Sequence, residues 1–170
     1  LHHTITFNNH ITENIVIELY KKDVVPDSVI PIQGLYCNKQ FLTGEGDKFD
    51  TIITSELIIG ITIDPEDANN FTDFLVSFND EWKVILKNDS QIDFVGFLTP
   101  NDCKCQFRDK PYDLELSATD GLAYLKSIPL TDYNGNKFTG ITTFIDYVYS
   151  SLIKTGLDLN IRIYCNVYES

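Results

Sequence analysis

The stretch Pro111–Leu130, PYDLELSATDGLAYLKSIPL, constrains the fold more than any other part of the chain. From Tyr112 to Thr119 the side chains alternate, with Tyr112, Leu114, Leu116 and Ala118 on one side and Asp113, Glu115, Ser117 and Thr119 on the other. That is the period of a strand with one face buried and the other in water. Asp120-Gly121 breaks the alternation. Leu122, Leu125 and Ile128 then follow at helical spacing until Pro129 ends the segment. Asp120 is placed to cap that helix by accepting a backbone N–H. Asp120, Gly121 and Leu122 therefore read as a structural joint, where a strand turns into a helix.

The same two periods sort the rest of the chain. His3–Phe7 and Asn14–Tyr20 alternate around the turn residues Asn8-Asn9-His10, which predicts a hairpin or meander. Val24–Gln33 carries Pro26 and Pro31 and reads as an irregular or edge segment. Leu35–Phe41 is weakly patterned, and Phe49–Asp64 is dense in isoleucine, which favours a sheet. Asn69 or Asn70 is the expected cap of a short helix carrying Phe71, Phe74, Leu75 and Phe78. Glu81–Lys87 and Gln91–Leu98 read as a hairpin, with Gly96 as a candidate bulge. Cys103–Phe107 is a short strand in this reading.

Thr139–Thr155 gives the long helix. Ile141, Phe144, Ile145, Val148, Leu152 and Ile153 form an apolar stripe expected to face the core, and Gly156 follows as the stop. Leu157–Tyr168 alternates as a closing strand. The sum is a β-rich α+β chain, an antiparallel sandwich or open barrel with one long helix and two short ones. Residues 1–110 make up the β-rich domain. Residues 111–170 form a strand-helix-helix-strand segment, packed with it or opening a second domain.

Charge narrows the partners. The formal net charge is -12, from 25 acidic against 13 basic residues, which disfavours nucleic acid and anionic membranes. No apolar run approaches the roughly 20 residues of a membrane span. The four cysteines (Cys37, Cys103, Cys105, Cys165) are not in a disulfide-framework or zinc spacing and read as reduced thiols. The sequence contains no methionine. The chain is expected to be a piece of a longer polypeptide, with His2 and His3 a candidate cloning remnant.

Candidate chemistry is thin. Thr43–Lys48 is glycine-rich but lacks the ending of a phosphate loop. Asp132–Asn136 is partly similar to a calcium loop, yet its glycine is out of position and Thr143 stands where a glutamate belongs, so a tight turn is expected. The histidines His2, His3 and His10 have no patterned ligand partners, and no nucleophile elbow or zinc motif is present. No catalytic residue, metal ligand or cofactor is assigned. Trp82, Tyr20, Tyr133 and Tyr164 are the candidate interface or ligand aromatics.

Five phrases carry a resemblance: Phe49–Leu57 (FDTIITSEL), Glu81–Leu86 (EWKVIL), Phe94–Pro100 (FVGFLTP), Pro111–Pro129 and Lys154–Leu159 (KTGLDL). In this order the chain resembles the N-terminal region of tail or baseplate proteins encoded by phages and prophages of Bacteroidetes, over residues 45–169. By likeness to tail hub proteins, the resemblance implies a non-enzymatic structural protein of the virion tail, made in the bacterial cytoplasm. It also implies a homo-oligomer, trimer or hexamer, joined to other tail or baseplate proteins. The alternatives are a carbohydrate-binding or adhesion module, or a non-catalytic part of a surface glycan hydrolase.

Overall fold

The structure is a computed structural model of the chain. It describes residues 1–7, 14–42, 54–64, 71–106, 109–125, 129–132, 134–139 and 143–155. Its strands are β1 (His3–Phe7), β2 (Ile15–Lys21), β3 (Ile30–Leu42), β4 (Thr54–Ile63), β5 (Trp82–Asn88), β6 (Gln91–Leu98), β7 (Lys104–Cys105) and β8 (Tyr112–Asp120). They run in the order β4-β3-β1-β2-β5-β6-β8-β7, and β8 returns to pair with β4. Seven strands thus close into a barrel, and the β-rich expectation is met by a closed sheet instead of an open one. The pair β1–β3 is parallel, and the other ladders are antiparallel.

β8 is the closing strand. One edge pairs with β4 from Glu56↔Thr119 to Ile63↔Tyr112. Its other edge takes β6 near Ala118 and the two-residue β7 near Glu115. Because side chains alternate, this register sends Leu114, Leu116 and Ala118 inward to meet Leu57, Ile59 and Ile61 of β4, all buried. β1, β2, β5 and β6 add Ile5, Ile17, Leu19, Val84, Leu86, Phe94 and Leu98 to the same interior. Each such side chain contributes about 1.5–3 kcal/mol by leaving water. The sheet therefore crosses residue 110 without a break.

One end of the barrel is plugged by aromatic rings. A single-turn helix, α1 (Asp73–Val76), brings Phe71 and Phe74 over His3 and Trp82. Phe74 meets Trp82 edge-on at 4.8 Å between ring centroids and His3 at 5.2 Å. α1 is capped at Thr72 without a side-chain bond. The predicted caps Asn69 and Asn70 lie outside the described residues. His3 is thus a buried residue at the barrel end.

Three expectations are corrected. Val24–Gln33 was expected to be an irregular or edge segment; residues 24–29 are irregular, but strand β3 starts at Ile30 and runs through Pro31 to Leu42. Pro31 is tolerated near the start of the strand, and an irregularity between Gly34 and Tyr36 resets the alternation downstream. The bulge in the β5–β6 hairpin sits between Leu86 and Lys87, opposite Asp93, and not at Gly96. Gly96 is instead a close approach, since a Cβ there would lie 2.1 Å from the Thr119 carbonyl oxygen.

The third correction concerns the long helix. α3 (Phe144–Ile153) starts later than predicted, at a capping box in which Thr143 and Asp146 satisfy each other's backbone N–H groups. Its apolar stripe is only partly covered, with Val148 and Leu152 half-buried. Phe144, Ile145 and Ile153 are 70%, 54% and 47% exposed, while Ser150 and Thr155 are buried. Ile141 and the predicted strand Leu157–Tyr168 lie outside the described residues.

Candidate functional site

At the joint after β8 a single turn of helix is described, and residues 126–128 of the predicted helix lie outside the described residues. Asp120 ends the strand, and its Oδ1 accepts the N–H of Leu122 at 3.1 Å, capping the single turn α2 (Gly121–Tyr124). Its Oδ2 accepts the N–H of Ser55 at 2.5 Å and the Ser55 hydroxyl at 2.8 Å. One carboxylate thus ties the start of β4, the end of β8 and the turn that follows. A strand predicted from its alternation is here fixed to its neighbour by a residue predicted only as a cap. The Ser55 partnership carried no sequence signal, being 65 residues away.

The outer wall beside the joint is polar and mutually paired. Tyr36 of β3 lies across Gly60 of β4 and donates its hydroxyl to Glu115 Oε2 of β8 at 2.7 Å. Lys104 of β7 approaches Glu115 Oε1 at 2.7 Å. These two donors, Lys104 first, hold the Glu115 carboxyl below its ordinary range, while the Tyr36 phenol is raised by the same bond. A carboxylate held ionised suits a charge partner and not a proton donor. Further along, Ser117 donates to Glu56 at 2.9 Å and Thr99 donates to the Ser117 carbonyl at 3.2 Å.

The thiols are quiet. Cys37, Cys103 and Cys105 are free. Burial raises the Cys37 thiol to about 11 and also lifts Cys103, which keeps both protonated at neutral pH. Asp132–Asn136 is the tight turn expected: Asp132 Oδ1 accepts the N–H groups of Asn134 at 2.9 Å and Asn136 at 2.8 Å, and Gly135 has φ +82°. Among the described residues, no three His, Cys, Asp or Glu side chains converge as metal ligands. No helix among them is long and apolar enough to cross a membrane.

Of the four candidate aromatics, Trp82 and Tyr20 fall among the described residues. Trp82 is 2% exposed and belongs to the barrel-end plug, because Trp82 leads the inward-facing set Trp82, Val84 and Leu86 of β5. That corrects its reading as an exposed ligand aromatic. Tyr20 is on the outer wall, with its hydroxyl donated to Glu18 at 2.9 Å. Burial, then Glu18, raises its pKa to about 12. Tyr133 and Tyr164, like the Thr43–Lys48 loop, lie outside the described residues.

One apolar feature outside the barrel is the face of α3. Ile145, Tyr149 and Ile153 recur at four-residue spacing, with Phe144 beside them. Tyr149 is 55% exposed, in line with its neighbours. Apolar patches of this kind on a folded chain mark contact surfaces. No protein-family model matches the chain, and comparison with curated proteins yields no significant match.

Proposed function

We propose that the chain is a structural component of a phage or prophage tail or baseplate, assembling with copies of itself as a trimer or hexamer and with other tail proteins. The observation that carries this reading is the apolar face of α3, where Phe144, Ile145 and Ile153 are about half or more exposed. A closed barrel has few free strand edges, so assembly through sheet edges gives way to assembly through this helix face. The five sequence phrases that resemble tail proteins of Bacteroidetes phages support the same reading.

A carbohydrate-binding module is the weaker alternative, since Trp82, its best stacking ring, is inside the barrel. The test is the oligomeric state of the purified chain against that of a variant carrying Ile145→Asp and Tyr149→Asp. Loss of a discrete oligomer in the variant, with the barrel still folded, supports the proposal. Identical masses for both chains count against it.

A further inference from the structure

On the outer wall, Tyr20, Lys83 and Phe97 stand side by side on three strands. Tyr20 is opposite Lys83 across β2–β5, and Lys83 is opposite Phe97 across β5–β6. All three line a cavity of about 300 Å³. Lys21, Lys22, Asp80 and Glu81 border it at the plugged end of the barrel, and Lys154 and Thr155 border it just past the end of α3. Four lysines around one cavity stand out in a chain whose net charge is -12.

Three of the four lysines there are engaged by partners. Lys21 is held by Asp73 at 2.5 Å and Glu81 at 3.3 Å, and Lys22 by Asp80 at 3.1 Å. Lys154 donates to the carbonyl oxygens of Pro129 and Thr131 and to the Thr131 hydroxyl, all neutral groups. Lys83 has no hydrogen-bond or ion-pair partner among the described residues. The carbonyls at the end of α3 do not oppose an anion strongly. Ser151 O accepts from Lys154 N, and Leu152 O accepts from both Thr155 N and the Thr155 hydroxyl.

We propose that this cavity binds a small organic monocarboxylate, with its charge on Lys83 and its apolar or aromatic body between Tyr20 and Phe97. One cation without a partner calls for one negative charge. The Tyr20 ring is fixed for the purpose, since its hydroxyl is already donated to Glu18. The volume is at the small end of ligand cavities, which run from about 300 to 1,000 Å³. A phosphate dianion fits less well, because such sites gather several free N–H donors, often at a helix N-terminus, and here the helix presents its other end.

The probe is benzoate, titrated into the purified chain by calorimetry and ligand-observed NMR, with benzamide as its neutral isostere. The expected result is one saturable benzoate site and at least tenfold weaker binding of benzamide. Lys83→Gln weakens benzoate at least tenfold, while Lys104→Gln, on another wall, leaves it unchanged. The proposal is overturned by absence of saturable benzoate binding, by benzamide binding equally well, or by indifference to Lys83→Gln. Should Lys83→Gln fail to fold, the benzoate–benzamide comparison on the parent chain decides alone. Oligomeric state does not enter any of these readings.

Discussion

Ser55 and Asp120, on strands β4 and β8, are joined twice through one oxygen: Asp120 Oδ2 accepts both the backbone N–H and the hydroxyl of Ser55. The other oxygen caps α2 through Leu122. Removing the carboxylate therefore strands three donors at once. Asp120→Ala is expected to cost on the order of 2–4 kcal/mol, since a lost cap costs about 1 and each stranded buried donor about 1–3. Ser55→Ala is expected to cost less, about 1 kcal/mol, because the backbone bond survives. Urea unfolding of both variants checks the order; equal costs would contradict the shared-carboxylate account.

Two glycines separate a soft contact from a hard one. A Cβ on Gly60 would meet the Tyr36 ring at 2.3 Å, and one on Gly96 would meet the Thr119 backbone oxygen at 2.1 Å. The ring can swing away at the cost of the Tyr36–Glu115 bond, roughly 1–2 kcal/mol. The backbone of a closed sheet cannot. Gly96→Ala is thus expected to destabilise more than Gly60→Ala, by thermal or chemical unfolding. Gly60→Ala should also relieve the raised Tyr36 phenol, which ultraviolet titration of a Tyr36-reporting variant pair would register.

His3 makes stability depend on pH. Burial first, then the neighbouring His2, lowers its pKa from 6.5 to about 4, against a smaller opposing pull from Asp73. Its Nδ1 has no hydrogen-bond partner among the described residues. A group whose folded pKa lies below its unfolded value binds fewer protons when folded, so stability falls as pH drops through the window from 6.5 toward 4. Between pH 7 and 4.5 this contribution is roughly 2 kcal/mol. The His3→Phe variant should lose that much less than the parent over the same range, with the carboxylates common to both. Parallel pH profiles would contradict a buried neutral His3.

Trp82 offers the simplest check on the barrel-end plug. Trp82→Ala is expected to cost about 3–5 kcal/mol, as for a large aromatic truncated in a packed core. The single tryptophan should also fluoresce as a buried indole. A cost under about 0.5 kcal/mol would put the ring at the surface, where a glycan reading needs it.

Much of the sheet was legible because a barrel wall has one wet and one dry face. β5 shows this alternation throughout and β6 from Phe94 onward, whereas in β8 Ser117, on the polar side, is buried as well. β3 hid because its irregularity near Leu35 shifts the phase: Ile32 points inward, and after the shift Cys37 does. Closure was not legible, since pairing of β4 with β8 joins residues far apart in sequence and leaves no local mark. Nor could period alone orient α3. Helical spacing gives an apolar face, but whether the barrel or another molecule covers it depends on space that the sequence does not encode locally. The Asp120 cap was legible because capping is local, whereas Ser55 and Lys83 acquire their roles from strands brought alongside.

The most direct test of the assembly account is the solution mass of the chain by multi-angle light scattering over a concentration series. The account predicts a discrete trimer or hexamer, and a monomer of unchanged barrel fold when Ile145 and Tyr149 are both changed to Asp. A parent chain that stays strictly monomeric at every concentration would contradict it.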